Sequence, residues 1–329
     1  MNTSSLLYLS ADDVRRALPM SAAIEAMRRA FAELSAGQAT MPTRECLAAS
    51  GQNGVDLVMP CHSTTLKMFS LKTVTVFCDN PQLGLPTIQG LLILTDGETG
   101  SHLAIMDGTS LTSIRTGAAS GLATDLLARA DASVVGVFGA GAQARTQLEA
   151  VCCVRSIRRA SVYDPDQTAA DRFATDLTNR LGVPVESADT PLRNLVGADI
   201  ICTATSSAQP VLADCDVPAG IHVNAVGAHR PDMVEIPAAT VCRARVVVDH
   251  RAAALEEAGD LLEPLRRGLI QPAHFSAELG EVVLGLSPGR GARDEITLFK
   301  SVGLAIQDLY AAVEVLDNAR RLGLGVPLP

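Results

Sequence analysis

Hydrophobic and polar positions follow two different rhythms along the chain, and the rhythm changes near residue 109. Before it, apolar side chains at helical spacing predict two helices, at 10–18 and 21–37. Ser10 followed by Asp13 is a capping pattern for the first of them. Three later runs are β-branched or alternate in polarity, which predicts strands at 66–77, at 88–96 and within 97–108. This third of the chain is predicted to form helices followed by an antiparallel sheet.

After residue 109 the chain alternates between helices and short apolar strands. Residues 109–130 predict a helix that Thr109 or Thr112 caps. The later helices are predicted to end near residue 153, to span 167–181 and, as a long amphipathic helix, to span 298–323. The predicted strands cover 133–139, 160–164, 198–205, 221–227 and 244–250. This pattern is typical of an α/β fold whose doubly wound parallel sheet is covered on both faces.

Composition limits the classes of partner. The chain has 329 residues, of which 47% are hydrophobic and 19% are charged, which is enough for two cores. The net charge of −9 and the pI near 5.2 disfavour binding to nucleic acid or to an anionic membrane, so small organic partners are expected. The first 18 residues lack a signal-peptide pattern, and no apolar run is long enough for a membrane span.

The cysteines give a second indication of the compartment. All eight are scattered along the chain without CxxC spacing. That pattern is typical of a reduced protein and not of a disulfide framework or a zinc site. We therefore expect a cytoplasmic protein that holds no metal ion.

The most specific local motif follows the predicted strand at 133–139. Gly139, Gly141 and Ala144 form a G-x-G-x-x-A pattern where a helix should begin. The first glycine permits a tight turn, the second lets the backbone approach a pyrophosphate, and the alanine lets helix and strand pack closely. A helix N-terminus then faces the anion. With this strand and helix context, the motif predicts dinucleotide binding.

Asp164 ends the second predicted strand, 25 residues after Gly139. A carboxylate at this point accepts hydrogen bonds from the ribose of NAD and repels the additional phosphate of NADP. NAD(H) is therefore favoured, and NADP(H) stays open. In the alternative interpretation, Asp164 only caps the helix that begins near Gln167, a role that Asp166 could also fill.

Several segments together resemble the ornithine cyclodeaminase/mu-crystallin family. They are "LKTVTVFCDNPQLGLPTIQG", "LTDGETGSHLAIMDGTSLTSIRTGAAS", "VVGVFGAGAQART", "NAVGAHRPDMVEI" and "ELGEVVLG…PGR…DEITLFKSVGLAIQDL". The similarity runs from about residue 40 to the end. It implies an α+β domain at 1–116, completed by a C-terminal helix at 312–329, that binds substrate and forms a homodimer. It also implies a Rossmann dinucleotide-binding domain at 117–311.

The resemblance assigns the carboxylate of an amino or imino acid substrate to Arg44, Lys72, Thr87 and Arg115. Arginine offers a rigid bidentate fork for such a group. Lys72 lies in an apolar strand, where an unpaired ammonium would be costly. In the alternative interpretation Lys72 is an edge residue with its head in water, as expected of Lys67, and Arg115 is a solvated helix charge.

The resemblance also assigns the cofactor site. Apart from the motif residues, its members lie at the ends of predicted strands and helices, where small residues are also common for packing alone. The predicted cofactor-binding residues are Arg115, Thr116, Gly139, Gly141, Ala142, Gln143, Asp164, Thr203, Thr205, Val226, Gly227 and Ser301.

Four functions are consistent with this resemblance. The first is reduction of a cyclic ketimine, Δ1-pyrroline-2-carboxylate or Δ1-piperideine-2-carboxylate, by NAD(P)H to L-proline or L-pipecolate. The others are cyclodeamination of ornithine, oxidative deamination of alanine or another amino acid, and cofactor binding without catalysis. The complete set Arg44, Lys72 and Arg115 disfavours the last of these.

His229 favours the first function. In family members that cyclise ornithine an Asp occupies this position, whereas "VGAHRPDMVE" has an imidazole there. An imidazole has no fixed negative charge, but it can donate a proton to an imine near neutral pH. We therefore predict His229 and Lys72 as the catalytic residues. A loop His that only lines the nicotinamide pocket is the alternative, and Asp232 lies three residues too late to replace the missing carboxylate.

Overall fold

The computed structural model describes residues 6–51, 53–275 and 277–329, and the chain divides into two compact units. The first comprises residues 1–115 and 304–329, and the second comprises residues 116–303. The sequence placed the return to the first unit at residue 312. It comes earlier in the structure, because the whole of the last helix belongs to the first unit.

The helices and strands are numbered separately in chain order. The helices are α1 (Ala11–Ala17), α2 (Met20–Ser35), α3 (Gly108–Leu127), α4 (Ala142–Val154), α5 (Gln167–Leu181), α6 (Pro191–Leu195), α7 (Ala238–Arg243), α8 (Arg251–Glu257), α9 (Gly259–Arg266), α10 (Leu279–Val283) and α11 (Ala305–Leu322). The strands are β1 (Leu7–Leu9), β2 (Ala39–Thr40), β3 (Glu45–Ala48), β4 (Gly54–Ser63), β5 (Met68–Phe77), β6 (Ile88–Asp96), β7 (His102–Asp107), β8 (Val134–Phe138), β9 (Arg159–Tyr163), β10 (Val185–Ser187), β11 (Ile200–Thr203), β12 (His222–Ala225), β13 (Arg245–Val248), β14 (Ala277–Glu278), β15 (Thr297–Lys300) and β16 (Val326–Pro327).

The first unit is built on a mostly antiparallel sheet. Its strand order is β16-β1-β7-β6-β5-β4-β2, with β3 paired to β4. The predicted antiparallel sheet is confirmed for β5, β6 and β7. Strand β1, which was not predicted, adds to β7 in parallel. Helix α11 lies against β4, β5 and β6, and α1 and α2 pack on α11. The long central strands therefore have one face covered by helices.

A buried carboxylate ties these layers together. Glu33 on α2 accepts hydrogen bonds at 2.8 Å from the Ser63 hydroxyl at the end of β4. It also accepts the hydroxyl of Tyr310 on α11. One acid thus joins two helices and a strand, which fixes α11 over the sheet.

The second unit contains a parallel sheet. Its strand order is β10-β9-β8-β11-β12-β15-β13-β14, and the pairs are parallel. Buried apolar clusters form in the unit, one around Phe138 and Phe275 and another around Phe173 and Leu148. The predicted α/β class with a doubly wound parallel sheet is confirmed. The carboxyl ends of its strands carry the loops that matter for binding.

Two predictions about helix ends are settled by the structure. Ser10 and Asp13 form the expected capping box at α1. The predicted cap of α3 by Thr109 or Thr112 is wrong, because the helix begins at Gly108 and the Ser110 amide donates to Asp107 Oδ1 at 2.7 Å. The carboxylate of the preceding strand therefore caps the helix.

The prediction of one helix over 298–323 is wrong at its start. Residues Thr297–Lys300 form β15, which is fully buried between β12 and β13. Gly303 then adopts φ +84°, which interrupts the chain before α11. Strand β15 has only four residues, TLFK, and the apolar positions of α11 follow soon after it, so periodicity alone did not separate the two elements.

Candidate active site

Lys72 lies in the middle of β5 with its side chain on the helix-covered face of the sheet. Its neighbours in the adjoining strands are Met59 and Leu92, both buried. The lysine is 1% exposed, and its Nζ lies 2.6 Å from Asp308 Oδ2 on α11. The Nζ also donates to Thr112 Oγ1 on α3 at 3.3 Å. Lys72 is therefore a buried, paired ammonium, and the edge-residue interpretation is wrong.

Lys67 shows what that alternative looks like. Its side chain is exposed in the turn between β4 and β5, and its Nζ pairs at 2.5 Å with Glu98 in the turn between β6 and β7. The contrast between the two lysines follows from the pleat and the turn, since only Lys72 lies on the covered face of a central strand.

Arg115 on α3 joins the same carboxylate. Its Nε donates to Asp308 Oδ1 at 2.9 Å, and a terminal nitrogen donates to Gln307 Oε1 at 3.0 Å. The side chain is buried, which excludes the interpretation as a solvated helix charge. Each oxygen of Asp308 thus contacts one cation. Lys72, Arg115 and Asp308 form a buried cluster of three charged groups.

The surroundings weaken the hold of Lys72 on its proton. Burial lowers the pKa of Lys72 to about 7, against the opposing effect of Asp308. The positive charges of Arg115 and Arg44 lower this pKa further. Since a lysine is cationic below its pKa, the positive charge at Lys72 is present at low pH and is lost as the pH rises through about 7.

The other two predicted substrate residues lie at the margin of this cluster. Arg44 is half-buried in the segment before β3, near enough for its charge to act on Lys72. Thr87 is half-buried just before β6, where its carbonyl accepts from the Phe77 amide at 2.9 Å. The structure therefore brings Lys72 and Arg115 together and does not tie Thr87 to them by a hydrogen bond.

Sequence reasoning missed Asp308, Gln307 and Thr112. A signal for Asp308 was present, because it is an acid inside the apolar stretch "VGLAIQDLYAAV". Two cations predicted to be buried also require a counter-ion, since an uncompensated buried charge is strongly destabilising. These two facts predict a buried acid near the two cations, but only the packing of α11 against β5 identifies that acid as Asp308.

The glycine motif in the second unit forms a tight turn into α4. Gly139 has φ +96°, and a Cβ there would lie 2.7 Å from the Ala204 carbonyl oxygen, so both conformation and space require glycine. Gly141 is the N-cap of α4. A Cβ on Gly141 would meet no atom of the described residues within 4 Å, which leaves room over the helix N-terminus. This geometry fits a pyrophosphate group.

The neighbouring motif residues agree with that fit. Ala144 is fully buried, as close packing of helix and strand requires. Ala142 and Gln143 form the first turn of α4. The Gln143 Oε1 atom is buried and has no hydrogen-bond partner within the described ranges. It is therefore an unsatisfied acceptor that a bound ligand could satisfy.

Asp164 is tied to the glycine loop. Its Oδ2 accepts from the Ala140 amide at 2.9 Å and its Oδ1 from the Asp166 amide at 2.9 Å. The capping role belongs to Asp166, whose side chain accepts from the Ala169 amide at the start of α5. Asp164 therefore stands beside the glycine loop, and its carboxylate retains lone pairs that could accept hydrogen bonds from ribose hydroxyls.

Glu235 joins the carboxyl ends of two adjacent parallel strands. It accepts the hydroxyl of Thr203 at 2.9 Å, and both the amide (2.6 Å) and the hydroxyl (2.8 Å) of Thr205 after β11. After β12 it accepts the amides of Gly227 at 2.7 Å and Ala228 at 3.2 Å. A Cβ on Gly227 would lie 2.3 Å from Glu235 Oε1, which explains the glycine. Val226, the remaining predicted cofactor residue of this loop, donates its amide to the Thr203 carbonyl at 3.0 Å.

Asp260 holds the backbone of Glu235 in place. Its Oδ1 accepts from the backbone amides of Glu235 at 2.6 Å and Ile236 at 3.0 Å. Its Oδ2 accepts from Lys300 Nζ at 2.8 Å, and both side chains of that ion pair are fully buried. Burial and the nearby Asp260 raise the pKa of Glu235. The acids are held in place by an interior lysine.

A second acid organises the loop after β15. Asp249 Oδ2 accepts the hydroxyl of Ser301 at 2.9 Å and the amides of Val302 and Gly303 at 2.8 and 2.9 Å. Thr116, another predicted cofactor residue, is buried, and its carbonyl accepts from Gln147 Nε2 at 3.3 Å. Sequence reasoning named Ser301, Thr203, Thr205 and Gly227, but it did not identify the acids that position them.

His229 is exposed in the loop after β12. Its Nδ1 lies 2.8 Å from the Gly227 carbonyl oxygen. Because a carbonyl only accepts, Nδ1 donates its proton to Gly227. Asp232 does not replace the missing family carboxylate, because it pairs with Arg230 at 2.8 Å and both are exposed. In the described part of the chain, no group of three His, Cys, Asp or Glu side chains could hold a metal ion.

Comparison with known proteins identifies the family. The sequence profile of the ornithine cyclodeaminase/mu-crystallin family matches residues 5–322. The chain belongs to this family. It is 38% identical over 321 residues to the Δ1-pyrroline-2-carboxylate reductase of Bacillus cereus, a match that covers 97% of this chain and 98% of that protein.

Two solved structures of the family are also similar. The Thermococcus litoralis Δ1-pyrroline-2-carboxylate reductase in complex with NADH and L-proline matches with a TM-score of 0.95 and 39% identity, over 98% of this chain and 100% of that one. An archaeal alanine dehydrogenase dimer with bound NAD matches with a TM-score of 0.92 and 36% identity, over 99% of each chain. The site described above therefore lies in a fold that other family members use with nicotinamide cofactors.

The space over Gly141 yields a prediction. Gly141→Ala should weaken NADH binding by about tenfold or more, ~1.4 kcal/mol, because the methyl group would occupy the space predicted to hold the pyrophosphate. The free energy of unfolding should not fall, since the added Cβ meets no protein atom of the described chain and φ is −79°. Fluorescence titration with NADH and urea denaturation measure the two quantities.

Gly291→Ala is the matched control. Gly291 is exposed, and a Cβ there would make only ordinary contacts, at 3.6 Å or more, with Glu295. It should change neither quantity. Unchanged NADH affinity in Gly141→Ala would show that the pyrophosphate does not bind at this loop.

Proposed function

We propose that the protein is an NADH-dependent reductase of cyclic ketimines that carry a carboxylate beside the C=N bond. Δ1-Pyrroline-2-carboxylate and Δ1-piperideine-2-carboxylate are such substrates, and the products are L-proline and L-pipecolate. The observation that carries this proposal is the buried cluster of Lys72, Arg115 and Asp308. Family relatives that reduce Δ1-pyrroline-2-carboxylate support it.

The cluster has the charge balance that a carboxylate needs. Lys72 and Arg115, with Arg44 nearby, bring three positive charges against the single negative charge of Asp308. A substrate carboxylate would offset the excess, and the arginine fork would fix its orientation. Thr87 adds a hydroxyl at the margin in this proposal.

The second unit supplies the cofactor residues in this proposal. The α4 N-terminus with Gly139 and Gly141 receives the pyrophosphate, and Asp164 accepts the ribose hydroxyls. Thr203, Thr205, Gly227 and Ser301 lie on loops that buried acids hold rigid. When bound, NADH supplies the hydride that reduces the imine carbon. Asp164 favours NADH over NADPH because its charge repels an additional phosphate.

His229 and Lys72 are the proton-handling residues in this proposal. An imine carbon is most electrophilic when its nitrogen is protonated, so a nearby acid accelerates hydride transfer. His229 offers Nε2 for this purpose, since Nδ1 is engaged with Gly227. Lys72, with a pKa near 7, can carry a proton in the same range.

We also propose that the protein is a homodimer that pairs through the first unit. The outer face of β5 and β6 exposes apolar side chains: Phe69 is 46% exposed, Leu71 is 42% exposed and Leu91 is 39% exposed. Contiguous apolar surface of this kind is typical of a protein interface.

No helix of the described chain is long and apolar enough to span a membrane. A cytoplasmic location stays a prediction from the cysteine pattern.

An assay panel tests the proposed reaction. NADH oxidation should be fast with Δ1-pyrroline-2-carboxylate or Δ1-piperideine-2-carboxylate, and kcat/KM should be higher with NADH than with NADPH. Ornithine should give negligible proline and ammonia, because no carboxylate stands at position 229. Alanine with NAD and pyruvate with ammonia complete the panel.

Robust conversion of ornithine without added cofactor would replace the reductase by a cyclodeaminase. Preferred turnover of alanine would favour the dehydrogenase. NADH binding without turnover of any imine would favour a binding protein.

Replacing His229 tests its proton role. His229→Ala should lower kcat for the ketimine and flatten the pH dependence of kcat near neutrality, because the proposed proton donor is an imidazole, the side chain that ordinarily ionises in this range. Steady-state kinetics across the neutral range measure this. His102→Ala, an exposed histidine on β7, is the control and should leave the profile intact. A normal kcat and profile in His229→Ala would assign the histidine to lining the pocket only.

A further inference from the structure

We propose that Asp308 is the positioning residue of the carboxylate site. It fixes Lys72 and Arg115 relative to each other and keeps Lys72 cationic, so that the pair can hold an anionic substrate. This inference rests on the proposed function, which uses the two cations but gives Asp308 no role of its own.

The first support is geometric. The two oxygens of Asp308 serve different cations on different elements, Lys72 on β5 at 2.6 Å and Arg115 on α3 at 2.9 Å. All three side chains are at least nine-tenths buried. A single carboxylate therefore sets the separation of the two groups that are to grip a ligand.

Asp308 is itself held firmly. The preceding residue, Gln307, accepts from the Leu304 amide at 2.8 Å and from Arg115 at 3.0 Å. Two residues later, Tyr310 donates its hydroxyl to Glu33 on α2. The backbone of Asp308 is thus fixed on both sides, so the carboxylate is a rigid reference point and not a mobile side chain.

The second support is the set of charges that face Lys72. Arg115 from α3 and Arg44 from the segment before β3 are cationic, and Asp308 from α11 is the anion. Cys61 on β4 is a neutral thiol, because burial and the charges of Asp308 and Glu33 raise its pKa to about 12. Glu33 is engaged by Ser63 and Tyr310. Asp308 is therefore the group that offsets the cations around Lys72.

The consequence concerns pH. Burial lowers the pKa of Lys72, and Asp308 is what opposes this shift. Without that negative charge the pKa would fall further, and Lys72 would be neutral at physiological pH. Lys72 can bind a ligand carboxylate as a cation only below this pKa. When Asp308 is neutralised, the pH at which ligand binding is lost should therefore fall.

Binding of pyrrole-2-carboxylate tests the inference without any turnover. This planar anion resembles the proposed substrate, and calorimetry on the NADH-bound protein gives its dissociation constant across the pH range. In the unaltered protein, binding should weaken as the pH rises through the pKa of Lys72. In Asp308→Asn the loss should begin at least about one pH unit lower, so that affinity near pH 7 falls about tenfold and recovers on acidification.

Glu314→Gln is the control, because Glu314 also lies on α11 and pairs with Arg29 at 2.9 Å, outside the cluster. It should leave the profile in place. A uniform loss of affinity in Asp308→Asn at every pH would show a merely structural ion pair and overturn the inference, as would an unchanged profile.

Asp308→Glu keeps the test decisive if Asp308→Asn does not fold. It retains the charge but displaces it by one methylene, so the pH profile should stay in place while affinity falls at all pH values. Unchanged affinity would show that the position of the carboxylate does not matter. Because these readouts need no catalysis, absence of ketimine reduction would defeat the proposed function and leave this test standing.

Discussion

The burial of two cations around one carboxylate is the constraint on which the first unit depends. Lys72 and Arg115 are removed from water among apolar side chains, and Asp308 is their shared counter-ion. Desolvation of such charges often cancels their attraction, whereas removing one partner costs roughly 3–5 kcal/mol. An arrangement this costly stabilises the fold little more than apolar residues would. In the proposed function, its value lies in presenting positive charge to an anion in a site of low dielectric constant.

The second unit uses buried acids in a different way. Glu235 and Asp249 accept hydrogen bonds from hydroxyls and amides where strands β11, β12 and β15 end. These backbone donors would otherwise lie unsatisfied at the carboxyl edge of the sheet, where a dinucleotide is held in this fold. The acids thus satisfy these donors without a ligand, and loops ordered in this way would lose less entropy on binding.

Much of this could be predicted from the sequence where the signal is local. The Ser10 capping box, the glycine turn at Gly139 and the alternation of β6 depend on neighbours within a few residues, and all three agree with the structure. Strand β4 was missed, because its run "GVDLVMPCHS" contains Pro60 and a weak alternation. Its pairing with β5 over ten positions, which no local pattern encodes, makes it a strand.

The site was predictable only in part for the same reason. Lys72 and Arg115 can each be identified from the sequence as candidate site residues, because each is a charged residue among apolar or small neighbours. Asp308 lies 193 residues after Arg115 and reads as one more polar position on an amphipathic helix. Its partnership depends on how α11 packs across β5, which is a tertiary fact. The same holds for Glu235, whose five hydrogen bonds reach residues at and just after the ends of two strands.

A crystal structure of the protein with NADH and L-proline would show whether the two buried cations hold the ligand. We expect the proline carboxylate to lie within hydrogen-bond distance of both Lys72 Nζ and the Arg115 guanidinium, with Asp308 still bound to the two cations. A proline carboxylate bound elsewhere, with Lys72 and Arg115 paired only to Asp308, would contradict this expectation.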